Sequence, residues 1–166
     1  MNEQTRSTLA GWSSSSLDHE IVVTRVVNAD RETVCKAWTD HDQITKWFGP
    51  DGFRCETHEI DIRTGGVWRF DMIAPDGTAF SNRMDFVRVD APRAIEALHG
   101  EDTADDPDRF RLLVTFDEQD NGKTVVTLRQ YHPTPERRDI VLGFGAVELG
   151  GQTLKKLAAQ VEGAGA

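Results

Sequence analysis

The sequence predicts an α+β fold in which one curved antiparallel sheet wraps around a long C-terminal helix, with two short helices after the first strand. Three observations carry the prediction. Seven stretches have strand character, and the last six follow one another with turn signals between them. Two short helical stretches interrupt only the first connection. One long amphipathic pattern closes the chain. Successive hairpins make the sheet antiparallel. Its twist curls it into a half-open cup. The long helix must then bury its apolar stripe against the concave side.

In chain order, residues 1–18 are polar, with a serine run from Ser13 to Ser16, and read as a flexible tail carrying a lone Trp12. A single domain is expected over 19–162, with 163–166 a short C-terminal tail. Ile21, Val22, Val23, Val26 and Val27 make a β-branched first strand. Asp30 caps a helix whose Val34 and Trp38 share a face. Asp40, with Gln43 three residues on, starts a second short helix. Ile44, Trp47 and Phe48 are its buried side, and Gly49-Pro50 its stop. The stretch Trp47–Phe53 is the hinge between this helix pair and the sheet.

Strands are expected over 53–63, 67–74, 78–90, 93–99, 110–117 and 123–132. Their turns are Thr64-Gly65-Gly66, Pro75-Asp76-Gly77, Ala91-Pro92 and Asp120-Asn121-Gly122. The loop 100–108 carries five carboxylates without the spacing of a calcium loop, and reads as solvated. Thr134 and Pro135 open the final helix. Ile140, Phe144, Val147, Gly151, Leu154, Ala158 and Val161 recur at spacings of three and four, giving one apolar face. Lys155 and Lys156 fall near the helix C-terminus, where cations suit the dipole. Gly143, Gly145, Gly150 and Gly151 each cost about 0.8–1 kcal/mol relative to Ala. The helix therefore bends there, or close packing or pocket space repays the loss.

Composition narrows the function. The chain has 166 residues and a formal net charge of -9, which argues against broad nucleic-acid binding and against docking on anionic lipid. No apolar run is long enough to cross a membrane. Without a secretory signal pattern, and with two separated cysteines, Cys35 and Cys55, a reducing cytoplasm is the expected compartment. Nucleophile-elbow, zinc-helix and phosphate-loop motifs are missing. Gly143-Phe144-Gly145 is only a fragment of a dinucleotide fingerprint, inside a helix. No cofactor and no metal are expected.

The candidate site lies between sheet and final helix. Trp47, Trp68, Phe70, Met72, Met84, Phe86, Phe110, Leu112 and Phe144 either fill a core or line a cavity. The curved sheet and the small residues of the final helix favour the cavity. Asn82, Gln130, His132 and Glu148 would be its few polar groups. Asn82, on the face of Met84 and Phe86, needs a partner: Gln130, water or ligand. His132 reads as a ligand contact, an acid–base group, or a strand-end histidine half in solvent. Glu148 reads as a buried acid with a raised pKa, or as a rim residue.

Ala37-Trp38-Thr39-Asp40, Lys46-Trp47-Phe48-Gly49-Pro50 and Gly52-Phe53 resemble the family of homologues of the activator of the heat-shock-protein-90 ATPase. Asp61-Ile62-Arg63, Gly65-Gly66, Trp68-Arg69-Phe70, Pro75-Asp76-Gly77 and Asp90-Ala91-Pro92 continue the match, over residues 20–161. The family belongs to the START-like, or polyketide-cyclase-like (SRPBCC), superfamily. The resemblance implies the helix-grip fold and a small apolar or amphipathic ligand in an internal cavity. It also implies two alternatives: a cyclase- or hydratase-type enzyme using Glu148 or His132, and a co-chaperone or protein-interaction module. The extra domain of the chaperone activators is missing here, which counts against a chaperone partner. Small superfamily members often pair, so a homodimer fits, although no exposed apolar stripe demands one. Two departures stand out. Gly150-Gly151 replaces the Gly-Trp of many relatives, and Gly151, if it faces the sheet, leaves room. Gln130 stands where relatives often carry His, so no acid–base role transfers there.

Overall fold

The computed structural model describes residues 14–103 and 105–164. Of the N-terminal tail expected over 1–18, residues 1–13, Trp12 among them, lie outside the described residues. Seven strands form one antiparallel sheet: β1 (Glu20–Val27), β2 (Arg54–Ile60), β3 (Val67–Ile73), β4 (Ala79–Asp90), β5 (Ala94–Gly100), β6 (Phe110–Glu118) and β7 (Thr124–Tyr131). Their order is β1-β7-β6-β5-β4-β3-β2. The hairpin run from β2 to β7 is thus laid down in sequence, and β1 closes it beside β7.

Two short helices, α1 (Arg31–Thr39) and α2 (His41–Trp47), follow β1. Their starts are those the caps predict. The Asp30 carboxylate accepts from the Thr33 amide at 2.8 Å, and Asp40 accepts from the Asp42 amide at 3.0 Å and from the Gln43 side chain at 3.2 Å. Phe48, just past α2, is a hub of the core. Its ring meets Trp38, Trp47, Trp68 and Phe70 at centroid distances of 5.3–5.9 Å. The hinge is then fastened to the last helix. Lys156 Nζ donates to the carbonyls of Pro50 (3.1 Å) and Phe53 (3.2 Å), and Lys155 pairs with Asp51 at 2.9 Å. These lysines therefore bind the hinge rather than serve a helix terminus.

The C-terminal segment corrects the expected single helix. It is two helices, α3 (Pro135–Gly143) and α4 (Ala146–Ala164). The Phe144 amide closes α3 on Ile140 and Val141, and Gly145 turns the chain at φ +87°, where a side chain would be strained. The turn rotates the apolar stripe out of register. Ile140, Phe144 and Val147 are 50%, 78% and 51% exposed, whereas Leu154, Leu157, Ala158 and Val161 are buried against the sheet. Exposed apolar side chains do cluster around this break, contrary to the expectation of none.

A second correction concerns residues 14–18, expected to belong to the tail. Ser14–His19 form a 3-10 helix docked on the rest of the chain. The Asp18 carbonyl accepts from Arg138 Nε at 2.9 Å. His19 exchanges two bonds with His132: its carbonyl accepts from the His132 amide at 2.9 Å, and its Nδ1 meets the His132 carbonyl at 2.8 Å. The C-terminal helix likewise runs through Gly163 to Ala164, into the segment expected as tail.

Candidate functional site

Sheet register gathers the site. His99 on β5 faces Phe110 on β6 and Met84 on β4, and Leu112 on β6 faces Gln130 on β7. Side chains two apart along a strand share a face. Asn82, His99, Phe110, Leu112, Gln130 and His132 therefore converge on the concave side. Their rings form a ladder: Phe70 to His99 at 6.2 Å, His99 to Phe110 at 5.1 Å, Phe110 to His132 at 4.8 Å.

Above this ladder lies a cavity of about 260 Å³ with an almost wholly apolar lining. Met72, His99, Phe110, Leu112, Leu128 and Gln130 form the sheet side. Trp38 and Phe48-Gly49-Pro50 close one end. Val141, Phe144, Ala146, Leu149, Gly150 and Thr153 form the helix side, so the break between α3 and α4 sits over the opening. A more polar mouth continues from it, sharing Met72, His99, Phe110 and Phe144, and adding Asn82, Glu101, Asp106, Asp108, His132 and Arg137.

The residues singled out from sequence divide into three groups. Met72, Asn82, Phe110, Leu112, Gln130, His132 and Phe144 line the cavity or its mouth. Trp47, Trp68, Phe70, Met84 and Phe86 do not; they are the packed core beneath, with Trp68 stacked on Phe70 at 3.7 Å. Glu148 and Gly151 belong to neither. Glu148 is exposed, so the buried-acid reading is corrected. Gly150, not Gly151, lies against the sheet: a Cβ there would sit 3.1 Å from Val23 Cγ2, while one at Gly151 would meet nothing within 4 Å. His99, Trp38, Phe48, Leu128 and Thr153 were not foreseen. For His99 the signal was its place in a strand two hairpins wide, with Phe110 opposite.

His132 is 1% exposed, which corrects the half-solvated reading. Its Nε2 lies 2.9 Å from Gln130 Oε1, and His99 Nε2 lies 2.8 Å from Asn82 Oδ1. The Asn82 amide nitrogen donates to the Phe80 carbonyl at 2.9 Å, which turns its oxygen toward His99. An amide oxygen only accepts, so the anchored Asn82 puts the His99 proton on Nε2, and with the Gln130 oxygen facing the ring His132 takes the same tautomer. Both rings stay neutral near pH 7. Burial pushes His99 down to about 4; burial, then the charges of Arg137 and Arg138, push His132 down to about 4. At the mouth, the Glu101 amide holds the Asp106 carboxyl below its usual range, helped by the Asp108 amide and the charges of Arg137 and Arg109.

Three buried polar atoms of this site lack a hydrogen-bond partner among the described residues: Trp38 Nε1, His132 Nδ1 and Arg137 Nε. Such a group left unpaired costs about 1–3 kcal/mol. Among the described residues, no group of three His, Cys, Asp or Glu side chains is arranged to hold a metal, and no helix is long and apolar enough to cross a membrane.

A twisted antiparallel sheet gripping a broken C-terminal helix over an apolar cavity defines a helix-grip protein. More narrowly, the sequence profile described as Activator of Hsp90 ATPase homolog 1-like protein matches residues 28–162, and the chain belongs to that family. No curated protein matches the sequence. Solved structures share the fold. A Mycobacterium smegmatis protein is 23% identical at a TM-score of 0.78, over 89% of this chain and 93% of its own. One from Arthrobacter aurescens is 18% identical at 0.79, over 90% of each. The AHSA1 protein from Silicibacter pomeroyi is 17% identical at 0.69, over 86% of this chain and 97% of its own.

Proposed function

We propose that the protein binds a small apolar or amphipathic molecule in the cavity between the sheet and helices α3 and α4, as a carrier or sensor. The observation that carries this reading is the apolar cavity of about 260 Å³, opening beneath the Phe144–Gly145 break. Its size approaches the lower end of small-molecule sites. Affinity would come from apolar burial at about 25 cal/mol per Å². Phe144 and Leu149, partly exposed at the rim, lie where an entering ligand would cover them.

The enzyme reading loses Glu148, which faces solvent, and keeps only His132. The family name supplies the chaperone reading, and no feature of the site favours it. The test is methyl NMR with small apolar fragments. Shifts should concentrate on Met72, Leu112 and Leu128 and spare Leu157 and Val161 in the core. Uniform or absent shifts would remove the cavity as the binding site.

A further inference from the structure

We infer that the occupant of this cavity is an uncharged molecule whose polar end is a hydroxyl donating to His132 Nδ1. The inference rests on the cavity-binding reading above and narrows it to a chemical class. His132 is almost fully buried, with its Nε2 proton committed to Gln130. Its Nδ1 is thus a bare lone pair at the mouth, with no partner among the described residues. Trp38 Nε1 in the cavity lining and Arg137 Nε at the mouth are unpaired in the opposite sense, as donors.

Buried polar groups in native proteins are nearly always paired, so this concentration points to groups a ligand completes. At the mouth, one acceptor, His132 Nδ1, and one donor, Arg137 Nε, set the chemistry of the ligand's polar end. A carboxylate only accepts, and would face the imidazole lone pair with its own. Glu101, Asp106 and Asp108 line the same mouth and repel an anion, with Arg137 the cation among them. An ammonium only donates, and leaves Arg137 unpaired. A hydroxyl does both: its proton goes to Nδ1 and its oxygen remains free to accept.

The experiment titrates the full chain by calorimetry at pH 7.5 with four probes on one frame: naphthalene, 2-naphthol, 2-naphthoate and 2-naphthylmethylamine. The naphthol is expected to bind about tenfold or more tighter than the others. In His132→Phe, which keeps the ring's bulk but has no acceptor, the preference for the naphthol over naphthalene should vanish. Side-chain ¹⁵N NMR on the unmodified protein gives a readout independent of that variant. The Nδ1 resonance should move upfield with the naphthol and not with naphthalene. Equal binding of naphthol and naphthalene overturns the inference and leaves the cavity reading standing. So does tighter binding of the naphthoate or the amine, or a preference that survives in His132→Phe. If no probe binds, the cavity reading falls with it.

Discussion

His132 Nε2 and Gln130 Oε1 stand 2.9 Å apart on the same face of β7 and its continuation, and with that oxygen facing the ring the buried imidazole carries its proton on Nε2. Asn82 does the same for His99 across the β4–β5 hairpin, at 2.8 Å. The two imidazoles beside the apolar cavity are polar, and with both pushed down to about 4 they are uncharged near pH 7.

Stability should fall as pH drops from about 6.5 to about 4. In the unfolded chain both histidines take up protons near 6.5; in the folded protein His99 and His132 hold out to about 4. Between those values the unfolded state binds more protons, so stability rises with pH, by up to about 1.4 kcal/mol per pH unit for each histidine. Urea unfolding from pH 7 to 4 should show this slope, reduced in His99→Gln. An unchanged slope in that variant would remove His99 from the account.

Neighbouring glycines of α4 should respond with opposite signs. Gly151→Ala adds a methyl into open space and should stabilise by about 0.8–1 kcal/mol through helix propensity. Gly150→Val drives branched bulk toward Val23 on β1 and should destabilise by about 1–3 kcal/mol. Thermal melts of the two variants check both.

Gly145→Ala should destabilise, because φ +87° is open to glycine and strained for alanine. About 1–2 kcal/mol is the scale of that strain. The same melts apply, and a neutral result would mean the turn between α3 and α4 relaxes freely.

The two thiols should stay silent until the protein unfolds. Burial pushes Cys35 and Cys55 up to about 11, and Cys55 Sγ also donates to the Phe48 carbonyl at 3.4 Å. Labelling with a disulfide reagent at pH 8 should track unfolding. A rapid phase from native protein would contradict the burial of Cys35 and the shielding of the half-buried Cys55.

The sheet was legible in the sequence because alternation and turn chemistry are local: Trp68, Phe70 and Met72 alternate with Arg69 and Asp71, and Asn121-Gly122 closes its own hairpin. The final helix was half legible. Ile140, Phe144 and Val147 continue the spacing of Leu154 and Val161, but Gly145 breaks the screw that such spacing assumes. The glycines signalled a bend without locating the register change. Trp68 and Trp47 are typical of a cavity wall and equally of a core, and only their packing, Trp68 stacked on Phe70 and Trp47 tilted against Phe48, separates the two. His132 was misjudged because the segment that covers it, ending at His19, is more than a hundred residues away in sequence.

Native mass spectrometry after incubation with a lipid and metabolite extract of the host tests the central claim most directly, with Thr153→Phe as the paired variant. Thr153 lines the cavity, and a phenyl ring there would take up part of its volume. The account predicts one added mass per chain, lost on denaturation and lost in Thr153→Phe. No added mass, or an adduct that persists in that variant, would contradict it.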